Sequence, residues 1–100
     1  MLLKLGVSIE YLNREIRRAL DTIESIYFVA GEGEAVITET RGGTHKPGSL
    51  HYADNAVDLR LPKKNVGELA QEMRRKLGVN YDVVVEISHV HVEYDPKQGR

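Results

Sequence analysis

One hundred residues are enough for one domain with one core and too few for two. Hydrophobic and charged fractions of 41% and 29% are those of an ordinary soluble chain, and zero cysteine excludes disulfides, thiolate metal sites and a cysteine nucleophile. Fourteen basic against fifteen acidic residues give a net charge of −1 with no basic stripe interleaved with aromatics, which argues against nucleic acid as a main partner.

The start, Met1 to Val7, is too short for a signal-peptide core and runs straight into a helix pattern. With no apolar run of transmembrane length, no membrane insertion is expected. The expectation is synthesis in the cytoplasm without a signal peptide, any export using another route. Ser8 reads as an N-cap, with Ile9, Leu12, Ile16, Leu20, Ile23 and Tyr27 following at helical spacing. Glu10, Arg14, Glu15, Arg17, Arg18 and Asp21 form the solvated face of a helix that serves as scaffold on a sheet. Gly31 and Gly33 break the pattern, and Glu34 to Thr40 reads as a strand.

Arg41 to Leu50 holds three glycines, a proline and a histidine, the chemistry of a loop, and such loops commonly carry binding groups. Asn55 to Leu61 is the next strand. Its Val57, Leu59 and Leu61 take one face, the core, and Ala56, Asp58 and Arg60 the other, so Asp58 points toward the opposite surface as a ligand lining a cleft would. Pro62 ends that strand. Asn65 caps a second helix with Val66, Leu69, Met73 and Leu77 inward, and Gly78 ends it. Tyr81 to Tyr94 is strand-like throughout, either one long strand or a hairpin turning at Ile87-Ser88. In the hairpin Glu86 lies opposite His89 and shares its face, together with His91 and Glu93; in a continuous strand Glu86 points away from both histidines. Ile-Ser is poor hairpin-turn chemistry, but fourteen residues is long for one strand, and the hairpin is favoured. Lys97 to Arg100 reads as a frayed tail, and the whole chain, 1–100, as a single domain.

Three of the four histidines and Asp58 fall in two short stretches, Ser49 to Asp58 and His89-Val90-His91. In a chain without cysteine this is an N,N,O ligand set suited to a catalytic zinc, with a fourth position left for water. His45, in the glycine-rich loop, reads as a loop residue rather than a ligand. Ser49, His51, Ala56 and Asp58 match the pattern Ser-x-His-x-x-Gly-x-Ala-x-Asp at every position but the glycine, where Asp54 stands. This resembles the zinc D-alanyl-D-alanine peptidases and L-alanyl-D-glutamate endopeptidases that share a fold with hedgehog signalling domains. The run Val85-Glu86-Ile87-Ser88-His89-Val90-His91-Val92-Glu93-Tyr94-Asp95-Pro96 is similar to that group's second motif.

The resemblance implies a small α+β domain, two helices on a mainly antiparallel sheet. It implies a Zn2+ held by His51, Asp58 and His91, with His89 orienting water or stabilising the transition state; relatives with Glu-x-x-His would exchange the two histidines' roles. Glu86 stands near the position of a general base, Arg41 where an arginine would grip a substrate carboxylate, and Ser49 is placed at the substrate side, bonding the loop. Glu93 is either support for a histidine or a solvent-facing strand residue, while Tyr52, Tyr81 and Tyr94 are expected to be half-buried packing residues. The implied activity is hydrolysis of D-amino-acid-containing peptidoglycan peptides, as carboxypeptidase or endopeptidase. A phage-type lysin acting on the wall after release fits, as does a cytosolic enzyme of recycled muropeptides. The alternative is a non-catalytic metal-binding module of the same fold. Asp54 adds a carboxylate where aspartate tolerates a positive φ, so the loop survives while activity is the more exposed to change. Oligomeric state is left open.

Overall fold

The computed structural model describes residues 1–40 and 55–96. They form an α+β arrangement in the chain order β1 (Leu2–Leu3), α1 (Arg14–Val29), β2 (Val36–Glu39), β3 (Ala56–Arg60), α2 (Val66–Leu77), β4 (Tyr81–Val85) and β5 (His89–Tyr94). The sheet runs β1-β2-β3-β5-β4, parallel between β1 and β2 and antiparallel at the other three pairings. It is therefore a mixed sheet. β1 lies within the N-terminal stretch expected to lead straight into a helix; two residues are too short to show an alternation, and their partner is far along the chain.

The expected helix start at Ser8 is corrected to Asn13, the N-cap of α1. Ser8 Oγ accepts the Glu10 N–H (3.3 Å), a local bond that competes with helix, and the Leu12 N–H bonds the Ile9 carbonyl (3.1 Å) in a turn. Arg17, expected on the solvated face, donates instead to the carbonyls of Ile9, Glu10 and Leu12 (2.8–2.9 Å) and locks this turn onto α1. Ile9 and Leu12 still face the core, but from irregular chain.

α2 begins and ends where expected. Asn65 makes no side-chain cap bond but takes φ 59°, ψ 41°, a left-handed conformation that asparagine tolerates. Gly78 closes the helix at φ 89°, ψ −177°, a region essentially restricted to glycine, and an added Cβ would meet nothing within 4 Å. Gly78→Ala is therefore expected to cost about 1–3 kcal/mol through backbone strain alone, read as a lower urea midpoint at unchanged slope. Arg74 ties α2 to the edge strand by donating twice to the Val83 carbonyl (3.1 and 2.8 Å). That carbonyl is thereby unavailable for pairing with another strand.

The β4–β5 connection is a hairpin: the Glu86 N–H bonds the His89 carbonyl (2.8 Å) across Ile87-Ser88. Among the described non-glycine residues only Asn65 has a positive φ, so the turn is not the type I′ form that demands Asn-Gly, and Ile-Ser can make it. Ile37, Leu59 and Val90 align across the sheet, as do Val57, Val92 and Val83. They pack with Ile16, Ala19, Ile23, Leu69, Ala70 and Met73 of the helices in one apolar cluster. Both helices thus cover one face. Alternation sends Asp58, His89, His91, Glu93 and Asp82 to the other. Tyr81 and Tyr94, a cross-strand pair with ring centroids 5.2 Å apart, pack from the helix side, and Tyr81 Oη donates to the Glu15 carbonyl (2.7 Å).

Candidate metal and catalytic site

Register assembles the site. On adjacent strands Asp58 is directly opposite His91, Arg60 opposite His89, and Ala56 opposite Glu93, while Glu86 closes the hairpin opposite His89. Cross-strand partners share a face, so Asp58, His89, His91, Glu93 and Glu86 lie together on the face without helices. Of the two readings of the Tyr81–Tyr94 segment, the hairpin is the one that brings Glu86 to this face.

Asp58 is almost fully buried at 3% exposure, and its carboxylate faces both histidines: Oδ1 is 2.8 Å from His91 Nδ1, and Oδ2 is 3.6 Å from His89 Nε2. The other nitrogen of His91, Nε2, lies 2.6 Å from Glu93 Oε1. An ionised carboxylate only accepts hydrogen bonds, so each ring nitrogen of His91 facing one carries a proton. Burial pulls the His91 pKa down, but the bonds to Asp58 and Glu93 outweigh it and hold the imidazolium above the ordinary histidine value. Glu93 is support for a histidine rather than a solvent-facing residue. Fixing one ring nitrogen on a carboxylate is the usual way a protein aims the other at a metal.

His89 is oriented from its own neighbour: Ser88 Oγ sits 2.9 Å from His89 Nδ1, leaving Nε2 toward Asp58. Beside this pair opens a cleft of about 320 Å³ whose described lining is Lys4, Thr38, Glu39, Asp58, Ser88 and His89. Lys4 and Glu39 have no counterpart among the residues expected from sequence. Glu39 reaches this face because the β2–β3 register shifts between Ile37 and Glu39, pairing Glu39 with Asp58. A bulge of this kind turns a side chain to the other face, and alternation read from the sequence cannot show it. Lys4 carried no signal as a lone lysine; its backbone N–H bonds the Ile37 carbonyl (2.9 Å), which sets it beside β2.

Arg41, His45, Ser49, His51, Tyr52 and Asp54 lie outside the described residues, as does the tail 97–100. Two of the three expected zinc ligands, Asp58 and His91, are thus placed and adjacent. Behind them, Asp82, Glu93 and Asp95 offer carboxylate oxygens within 4.8 Å of one another, a second group that could hold a metal ion. Among the described residues no helix is long and apolar enough to cross a membrane. No family model, curated protein or solved structure matches the chain.

Proposed function

We propose that the chain is a zinc-dependent peptidase with the hedgehog/DD-peptidase type of fold, hydrolysing D-amino-acid-containing peptides of the bacterial cell wall. The observation that carries the reading is the chain of contacts Glu93–His91–Asp58 with His89 alongside, all on the helix-free face and open to a cleft. Asp58 and His91 are an O,N donor pair of the kind zinc takes, and His91 already has its far nitrogen anchored. His51 is the third ligand that the Ser49 to Asp58 motif supplies.

Zinc, when bound, would act as a Lewis acid on the scissile carbonyl and bring the pKa of a bound water from 15.7 to about 7. The remaining work belongs to side chains. His91 would give up its Nδ1 proton to become a ligand, so metal uptake competes with acid. Glu93 keeps the ring in the orientation that presents Nδ1. His89 offers Nε2 where charge develops on the substrate oxygen. Glu86, on the same face, would take a proton from water and deliver it to the leaving amine. Release by lysis and action on recycled wall peptides both suit this chemistry.

One observation favours a second reading, a non-catalytic metal-binding module. Glu86 is exposed, and among the described residues its side chain makes no hydrogen bond or ion pair that would hold it to the site.

The test is zinc-loaded protein incubated with a D-Ala-D-Ala-terminated peptide and with purified peptidoglycan. Turnover is expected, lost on chelation and restored by zinc. Glu86→Gln and His89→Ala should each lose about 10²–10⁴-fold in turnover while keeping zinc. Stoichiometric zinc without turnover on either substrate would leave the binding module, and no zinc at all would remove both readings.

A further inference from the structure

We infer that Glu39 is a further ligand of the metal site, a second carboxylate that meets the same ion as Asp58 from the neighbouring strand. This rests on the metal centre of the reading above. Two observations carry it. Glu39 is the register partner of Asp58 across β2 and β3, so the two side chains share the helix-free face. Glu39 also lines the cleft of about 320 Å³ together with Asp58 and His89. Directly opposed residues of an antiparallel pair have Cβ atoms about 4.5–5.5 Å apart, close enough for two carboxylates to converge on one cation.

The other carboxylates of this face are placed differently. Glu93 is taken by His91 Nε2 (2.6 Å), Asp82 stands on the edge strand β4 beyond β5, and Glu86 is exposed at the hairpin, outside the described lining. Glu39 is half-buried, and the register shift between Ile37 and Glu39 is what turns it this way. Bulges of this kind recur beside functional sites because they re-aim a side chain. Glu39 already has a polar or electrostatic contact of its own, which it would exchange on metal uptake. Lys4 shares the lining but makes no ion pair among the described residues, so that contact is not with the lysine.

The consequence is chemical. His51, Asp58 and His91 offer two nitrogens and one oxygen; Glu39 adds a second carboxylate, and carboxylates favour harder divalent cations such as manganese. Catalytic zinc centres accept a fifth donor, so Glu39 does not take the place of water. The experiment measures the affinity of the full chain for zinc, by competition with a chromophoric chelator, and for manganese, by the paramagnetic resonance signal of the free ion. Wild type should bind both. Glu39→Gln should weaken zinc binding about ten-fold and manganese binding about a hundred-fold, because the donor lost is an oxygen. A general loosening of the cleft would instead weaken both by one factor. Zinc affinity unchanged in Glu39→Gln, equal losses for the two metals, or a wild type that takes no manganese would overturn the assignment. The metal centre itself stands if Asp58→Asn still abolishes zinc binding. Zinc affinity that survives both substitutions would put the metal elsewhere and overturn the reading on which this inference rests.

Discussion

Asp58→Asn is expected to abolish the zinc binding proposed above and, with it, the proposed hydrolysis. The carboxylate is the point at which both histidines meet the site, 2.8 Å from one and 3.6 Å from the other, and it is buried where water cannot replace it. Asparagine has nearly the same shape but no charge and offers a single neutral oxygen. A loss of at least a hundred-fold in zinc affinity is expected, measured by competition with a chromophoric chelator, and turnover should fall to background. The same substitution has a readout that needs no metal. In the metal-free wild type, His91 holds its proton above the ordinary pKa because its bonds to Asp58 and Glu93 outweigh its burial. A group raised in this way stabilises the fold fully below the unfolded value of about 6.5, and the contribution is lost as pH rises through the folded value. In Asp58→Asn burial remains and the carboxylate bond is gone. The His91 midpoint, followed by its ring proton in NMR, should move down, and the gain in stability on acidification from neutral pH should shrink. An unchanged midpoint would mean that Asp58 and His91 are not partners in solution.

Leu59→Ala should give the largest loss of stability. Leu59 is fully buried on the central strand, between Ile37 and Val90, at the middle of the apolar cluster under both helices. Truncation removes the transfer energy of the lost atoms and leaves a cavity, together about 2–5 kcal/mol. For a chain of this size each 1 kcal/mol moves Tm by about 4–8 °C, so a fall of 10 °C or more is expected in calorimetry. Asp58 precedes Leu59 on the same short strand, so zinc affinity should fall too, and saturating zinc should recover part of the Tm by mass action. A shift of less than 4 °C would show that the strand is not at the centre of the core.

Much of the fold was legible because it is written in local periodicity. The second helix was readable from Val66, Leu69, Met73 and Leu77 with Asn65 and Gly78 at its ends, and β3 from the alternation around Asp58, since both patterns lie within a single element. Where reading failed, a tertiary contact had overruled a local preference. Ser8 looked like a cap, but its side chain bonds Glu10 and its carbonyl accepts from Thr40 Oγ1 (2.6 Å), while Arg17 takes the carbonyls that a helix would have used. β1 was invisible because it is two residues long and its pairing partner, β2, is far along the chain.

The site divides in the same way. By itself the sequence determined which groups are present: an N,O donor set without thiolate, and a His-x-His whose two rings must share a sheet face because strand side chains alternate with period two. It also fixed Asp58 opposite the core, from the apolar residues on either side of it. Only the tertiary structure decided the pairings. Register sets Asp58 against His91, the hairpin at Ile87-Ser88 sets Glu86 on the histidine face, and the bulge in β2 brings Glu39 around to the cleft that Asp58 and His89 line. Register between strands far apart in sequence depends on how whole elements pack, and a shift of one residue would exchange the two faces.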